Sequence, residues 1–268
     1  MKSKGKETYK SVLVGIIAII IAISGHGVSE SAEARKIYVG AGSDFELYTF
    51  IDRNNNPAGY DIAVLKEIDS RLPQYEFVYQ SIELKNLLLS IDAKKIDIAT
   101  QQFEKNPERE QKYLFTQEGF ANYDKRIIVR KGRTDIKTIK DLEGKRVACS
   151  QGSNTASILE KYNSKHDHKI IIVYTKGSPA IIYDDIVNGR LDAAVWTRKT
   201  FKRNTEAFGP GLDIVEGPLF SKSLSYFILA KNEIQLRNDI DKALKDIKKD
   251  GTLSKLSYEY TNGDYNQE

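Results

Sequence analysis

The chain has 268 residues with 41 basic against 37 acidic side chains and one cysteine. That length suits one large domain or two smaller ones. The charge is too evenly balanced, and too free of basic clusters interleaved with aromatics, for a nucleic-acid footprint. A lone cysteine excludes an internal disulfide, and Cys149 sits in the apolar run Arg146-Val147-Ala148-Cys149, where it reads as a packed core thiol. Of the three histidines, His26 precedes the folded part and His166 and His168 fall in a polar loop. Catalysis by histidine, a His-rich metal site and any bound cofactor therefore have no visible residue set.

In chain order, Lys2, Lys4, Lys6 and Lys10 precede an apolar or small-residue run from Val12 to Ile23, and Ala32-Glu33-Ala34 offers a small-x-small cleavage site. The run is shorter than the roughly 20 residues of a membrane span, so residues 1–34 read as an export signal, with an uncleaved anchor as the alternative. A lipoprotein signal needs Cys after Ser24-Gly25, but His26 stands there, which excludes lipid attachment at that point. The expected location is the outer face of the cytoplasmic membrane or the periplasm.

The remaining chain alternates strand and helix patterns. Lys36 to Gly40 predicts a strand, and Asp61 is read as the cap of a helix carrying Ile62, Leu65, Ile68 and Leu72 on one face. Tyr75–Tyr79 predicts a strand, Leu84–Ala93 a helix and Ile96–Thr100 a strand. Strands are then expected at Arg126–Val129, Arg146–Cys149, Ile170–Tyr174 and Leu191–Val195, with helices at Thr155–Tyr162, Ala180–Asn188 and Arg198–Glu206. Ile234–Lys249 is an amphipathic helix stopped at Asp250-Gly251-Thr252, where Gly ends one helix and Thr caps the next. Such alternation predicts an α/β architecture with mainly parallel sheets, and no linker rich in Pro, Gly or Ser divides it.

Two segments carry candidate chemistry. In Ile96-Asp97-Ile98-Ala99-Thr100-Gln101-Gln102-Phe103-Glu104-Lys105-Asn106-Pro107-Glu108-Arg109, a buried strand runs into polar residues, then a helix opened by Asn106 and Pro107. Arg109 is thereby displayed at a helix start, where its guanidinium either clamps a carboxylate through two parallel bonds or pairs with Glu108 or Glu110. In Val147-Ala148-Cys149-Ser150-Gln151-Gly152-Ser153-Asn154-Thr155 a strand turns at glycine into a helix whose first N–H groups attract anions. Taken alone, the second segment is better explained by ordinary capping, and no Gly-Lys-Ser/Thr makes it a phosphate loop.

Together these motifs resemble the polar amino-acid-binding proteins of ABC importers. Phe45-Glu46-Leu47-Tyr48-Thr49-Phe50 is similar to the family's aromatic-x-Pro-Phe-x-Phe segment, with Leu47 and Tyr48 in place of Pro and Phe. Gly59-Tyr60-Asp61, Asn106-Pro107-Glu108-Arg109, Phe115-Thr116, Gly144-Lys145-Arg146-Val147 and Gln151-Gly152-Ser153 follow in the family's order. Asn188-Gly189-Arg190-Leu191-Asp192-Ala193 and Asp250-Gly251-Thr252 complete the set. The resemblance implies a bilobed periplasmic-binding-protein-like fold, two α/β lobes joined by two hinge strands. Lobe one would comprise residues 36–119 and 226–268, and lobe two residues 120–225. It further implies a monomer that closes on an amino acid and is recognised by transporter membrane subunits.

Carried over by position, Arg109 would hold the ligand α-carboxylate with Asn154 and the backbone of Ser153 to Thr155. Gln102 would turn its carbonyl to the ammonium. Phe45 and, more weakly, Leu84 would stack on the ligand side chain, unless they are ordinary core. The family's acidic ammonium partner is replaced by Thr197, while Glu104 stands where Ser or Thr is usual. The expectation is that Glu104 holds the ammonium and that Thr197 and Trp196 shape the pocket; the competing reading pairs Glu104 with Arg109. The Gln101-to-Arg109 stretch with Lys112-Tyr113-Leu114-Phe115 looks like members that bind L-cystine and related sulfur amino acids, Gln101 and Glu104 suiting a ligand with more than one polar end. Glutamine, histidine and other polar amino acids stay open. Binding by closure needs no catalytic residue and the sequence offers no catalytic set; the alternative that the resemblance leaves open, a same-fold dehydratase, would need an acid/base pair, for which Glu104 has no partner. A sensory ectodomain is disfavoured because no second membrane segment follows.

Overall fold

The computed structural model describes residues 33–176 and 178–267; the export signal read at residues 1–34 lies, but for its last two residues, outside them. Two sheets organise the fold. The first begins with β1 (Arg35–Ala41), whose last three residues are continuously buried because helical residues such as Leu65, Ile68 and Ile240 pack on the sheet. A small antiparallel sheet of β2 (Asp44–Phe45), β3 (Thr49–Ile51) and β4 (Pro57–Ala58) follows. Helix α1 (Tyr60–Ser70) then starts at Gly59, not at Asp61. Gly59 has φ of 109°, and a Cβ there would lie 2.4 Å from the Tyr48 carbonyl oxygen, so only glycine fits this entry. Asp61 is instead a first-turn residue with its carboxylate wholly buried.

β5 (Tyr75–Ser81), α2 (Leu84–Asp92), β6 (Ile98–Phe103), the short α3 (Pro107–Lys112) and β7 (Leu114–Phe115) complete the first half of this sheet. β1 lies parallel between β5 and β6, with Ile37 opposite Phe77 and Val39 opposite Ile98. β6 runs three residues past the expected end at Thr100, because the later strand β14 (Leu224–Leu229) pairs with it antiparallel and brings Tyr226 opposite Phe103. The sheet order is β5-β1-β6-β14-β7, and β8 (Ala121–Asn122) also pairs with β14.

The second sheet has the order β11-β10-β12-β9-β13, built from β9 (Lys125–Arg130), β10 (Arg146–Cys149), β11 (Ile171–Tyr174), β12 (Ala193–Thr197) and β13 (Leu212–Ile214). Helices α4 (Asn154–Asn163), α5 (Pro179–Val187) and α6 (Arg198–Phe208) connect its strands. β12 starts two residues later than the alternation suggests and reaches Thr197, since its antiparallel pairing with β9 runs from Ala193↔Val129 to Thr197↔Lys125. Helices α7 (Ile234–Lys249) and α8 (Thr252–Thr261) return to the first sheet, burying Leu236, Ile240, Leu244 and Ile247. At their junction Gly251 occupies the cap in the left-handed region, and Thr252 is the first residue of α8 instead of its cap.

Each sheet has separate apolar clusters, one pair built on Ile37, Ile98 and Leu87, the other on Val147, Ile128 and Leu159. The chain crosses between sheets twice, and the two crossings run antiparallel and bonded. Phe120 N–H donates to Ser225 O, Tyr123 N–H to Ser223 O and Lys125 N–H to Ser221 O, each at 2.9 Å. This is a bilobed periplasmic-binding-protein-like fold with paired hinge strands. No helix among the described residues is long and apolar enough to cross a membrane.

Candidate functional site

Beside the hinge, a cavity of about 190 Å³ is walled by both sheets. β6 ends at it, α3 and α4 start at it, and α6 lies along it. The residues selected from sequence, Arg109, Gln101, Gln102, Glu104, Phe45, Leu84, Ser153, Asn154, Thr155, Trp196 and Thr197, all line it.

Arg109 is placed by α3. Asn106 Oδ1 accepts from Arg109 N–H at 2.9 Å and Pro107 occupies the first turn, so the guanidinium emerges beside the end of β6. It is 7 % exposed, faces the Phe103 ring, and donates from Nη1 to Glu104 O at 3.1 Å and from Nη2 to Gly152 O at 2.7 Å. Neither Glu108 nor Glu110 forms an ion pair with it; Glu108 pairs with Lys112. The guanidinium is thus a buried cation held by carbonyl oxygens, and burial lowers its pKa against the opposing fields of Glu104 and Glu108.

Glu104 does not pair with Arg109 through its carboxylate. Lys125 Nζ donates to Glu104 Oε2 at 2.5 Å and to Thr155 Oγ1 at 3.1 Å, while Ser221 Oγ lies 3.5 Å from Glu104 Oε1. Lys125 begins β9 and lies over the Tyr123 ring, so one lysine ties the end of β6, the hinge and the first turn of α4. Sequence reasoning missed it because the apolar run of that strand starts two residues later, at Ile127.

Gln102 has a left-handed φ of 49°. Its N–H and Nε2 donate to the two oxygens of Asp61 at 3.0 and 2.5 Å, Thr100 Oγ1 donates to Asp61 Oδ2 at 2.6 Å, and Ser225 Oγ donates to Gln102 Oε1 at 2.5 Å. These bonds offset the cost of the backbone conformation and turn the Gln102 side chain inward. Burial still pushes the Asp61 carboxyl up to about 6 against those hydrogen bonds. At α4, Ser153 Oγ caps Ala156 N–H at 3.1 Å, and Asn154 Oδ1 accepts from Asn106 Nδ2 at 3.1 Å across the cleft. The first N–H groups of such a helix have no intrahelical acceptor and favour an anion.

The chain matches the bacterial extracellular solute-binding proteins, family 3, over residues 37–263. It belongs to that family. It is 34 % identical to the L-cystine-binding protein TcyK of Bacillus subtilis (strain 168) across 99 % of both chains. It superposes with a TM-score of 0.80 and 35 % identity on a structure assigned as an L-cystine ABC transporter from Listeria monocytogenes, covering 87 % of this chain and 99 % of that one. A Streptococcus mutans structure concerned with glutathione import via GshT and the cystine ABC importer TcyBC matches with a TM-score of 0.79 at 25 % identity, covering 88 % and 98 %.

Three of the cavity-lining residues also have a structural part. Thr197 is the N-cap of α6: its Oγ1 accepts from Thr200 N–H at 3.1 Å and donates to Thr200 Oγ1 at 3.0 Å, so it replaces an acid with a helix cap. Phe45 is both cavity wall and core, since it packs at 4.8 Å on Tyr48 and 6.4 Å on Tyr123. Leu84, at the start of α2, lines the cavity but also packs against the cluster around Leu87. The sequence reading placed α6, as Arg198–Glu206, but gave its residues no part in the site. Thr200, Arg203 and Asn204 line the cavity, and the spacing that puts Thr200 and Asn204 on one face reads as solvated until the sheet turns that face inward.

Proposed function

We propose that this protein captures an amino acid with polar groups at both ends, L-cystine before others, between its lobes and delivers it to the membrane subunits of an ABC importer. The observation that carries the reading is the Arg109 guanidinium, buried among carbonyl oxygens beside the N-terminus of α4 and lacking an ion-pair partner among the described residues. A bidentate α-carboxylate supplies the missing charge. Glu104 lines the same cavity and holds Lys125 through Oε2, so the ligand ammonium, one carbon from its carboxylate, is assigned to Glu104 Oε1. Asn154 and the N–H groups from Ser153 to Thr155 assist the carboxylate, Gln102 O the ammonium, and Phe45, Leu84, Gln101, Trp196 and Thr197 surround the side chain.

Lobe one is taken as residues 36–119 and 226–268, and lobe two as residues 120–225. Closure of these lobes forms the surface that the transporter reads, and the protein acts as an exported monomer cut after Ala34. The relatives named for L-cystine support that ligand, and the Streptococcus mutans structure makes glutathione the second to try. The test is a thermal-shift panel of the purified protein against the common amino acids, L-cystine and glutathione. A ligand at about 100-fold excess over its Kd adds roughly 2.7 kcal/mol. A shift with L-cystine that Arg109→Ala removes supports the reading; no shift with any of them overturns it.

A further inference from the structure

Among the described residues, few buried side-chain polar atoms lack a hydrogen-bond partner, and three of those sit on residues lining the cavity: Arg203 Nε, Asn204 Nδ2 and Gln101 Oε1. None belongs to the Arg109 end. They cluster instead around Phe45, because Gln101 Nε2 donates to Asp44 Oδ1 at 3.4 Å and Arg203 is ion-paired with Glu46, the two neighbours of Phe45. Asn204 is fully buried, and its Oδ1 accepts from Arg203 Nη2 at 2.9 Å. That bond fixes the amide's orientation: exchanging O and N would set an NH₂ against the guanidinium and waste the acceptor. Buried donors left unmatched are rare and costly in folded proteins, and they stay only where something supplies an acceptor.

We infer that α6 carries the receptor for the far end of the ligand, with Asn204 Nδ2 and Arg203 Nε donating to its distal carboxylate and Gln101 Oε1 accepting from its distal ammonium. The ligand class is an α-amino acid whose side chain ends in a second zwitterionic or carboxylate head. This rests on the amino-acid-binding reading above. A ligand with an apolar end would leave both donors buried and unpaired, so α6 selects against it. Glu46 accepts from Arg203 Nη1 and Asn204 Oδ1 from Nη2, which leaves Arg203 Nε and the Asn204 amide NH₂ as buried donors without an acceptor.

Calorimetry of the full chain with L-cystine and with S-methyl-L-cysteine, which keeps the near head and lacks the far one, tests this. Asn204→Ala should weaken L-cystine about tenfold or more and S-methyl-L-cysteine less than about twofold. Asn204→Asp, nearly isosteric, should weaken L-cystine at least as much by setting a carboxylate against the distal one. Circular dichroism of both variants checks the fold. Wild type that binds L-cystine and not S-methyl-L-cysteine also supports the inference. Equal losses for both ligands, or no loss for L-cystine, overturn the α6 assignment alone. No binding of L-cystine, S-methyl-L-cysteine or glutathione to wild type, or undiminished binding to Arg109→Ala, overturns the underlying reading instead.

Discussion

Lys125 and Glu104 meet at 2.5 Å with side chains only 7 % and 2 % exposed, one from the start of a hinge-proximal strand and the other from the chain leaving β6. Such a pair contributes little net stability, but removal of one member strands the other charge at a cost of about 3–5 kcal/mol. Glu104→Gln should therefore lower stability in urea by about that amount, and adding Lys125→Met should restore most of it. Ligand affinity should behave differently. If Glu104 also holds the ammonium, the double variant regains stability and stays weak in binding; recovery of both would reduce Glu104 to a counter-ion for Lys125.

Arg109 is the reverse case, a buried cation that no carboxylate among the described residues pairs with. Replacing it by Ala should cost amino-acid affinity about 2–5 kcal/mol, the range for cutting a desolvated charge pair. The unliganded protein should lose much less, because two hydrogen bonds to carbonyls vanish along with an uncompensated charge. Calorimetric titration and a melting curve without ligand, on the same variant, measure the two effects separately. A variant that melts far lower without ligand would show Arg109 to be structural.

The fold was legible because its signals are local: the apolar runs of β1 and β10 and the Asn106-Pro107 helix start each specify their own geometry. The Arg109 end of the site was legible for the same reason, since the cap and the arginine lie within one turn. Lys125 and the α6 stripe were not. Lys125 acquires its role only where β9 is laid antiparallel against β12, and Thr200 and Asn204 read as a solvated face until that pairing turns α6 inward. Asp61 shows a third limit: its position suggests a helix cap, but its partners, Thr100 and Gln102, lie about 40 residues away in sequence and only the β1–β6 pairing brings them near.

Asp61 also predicts a pH dependence. Burial raises its folded-state carboxyl from 3.8 to about 6. The folded state therefore binds the proton more tightly than the unfolded chain does. The resulting stabilisation is complete below pH 3.8 and is lost as pH rises to about 6, by on the order of 2–3 kcal/mol. Urea titrations at pH 4, 5, 6 and 7 should show wild type losing stability relative to Asp61→Asn over that interval. Parallel curves would mean that the three hydrogen bonds to the carboxylate hold it ionised throughout.

Cys149 is 8 % exposed, yet it lines the cavity proposed to hold a disulfide-containing ligand. A thiolate there would attack that disulfide and retain half of the cargo as a mixed disulfide. Burial pushes the thiol up to about 12, aided by Glu160 and opposed by Lys125. At neutral pH the thiolate fraction is then below roughly one in ten thousand, and exchange should be negligible. Protein incubated with excess L-cystine at pH 7.5 should keep its mass, whereas the same mixture in urea at pH 9 should gain a half-cystine adduct. Lys125→Met removes the one charge that favours the thiolate and should leave the native thiol no more reactive. An adduct on folded wild type would overturn this account, because the pocket wall would then react with the disulfide it is proposed to carry unchanged.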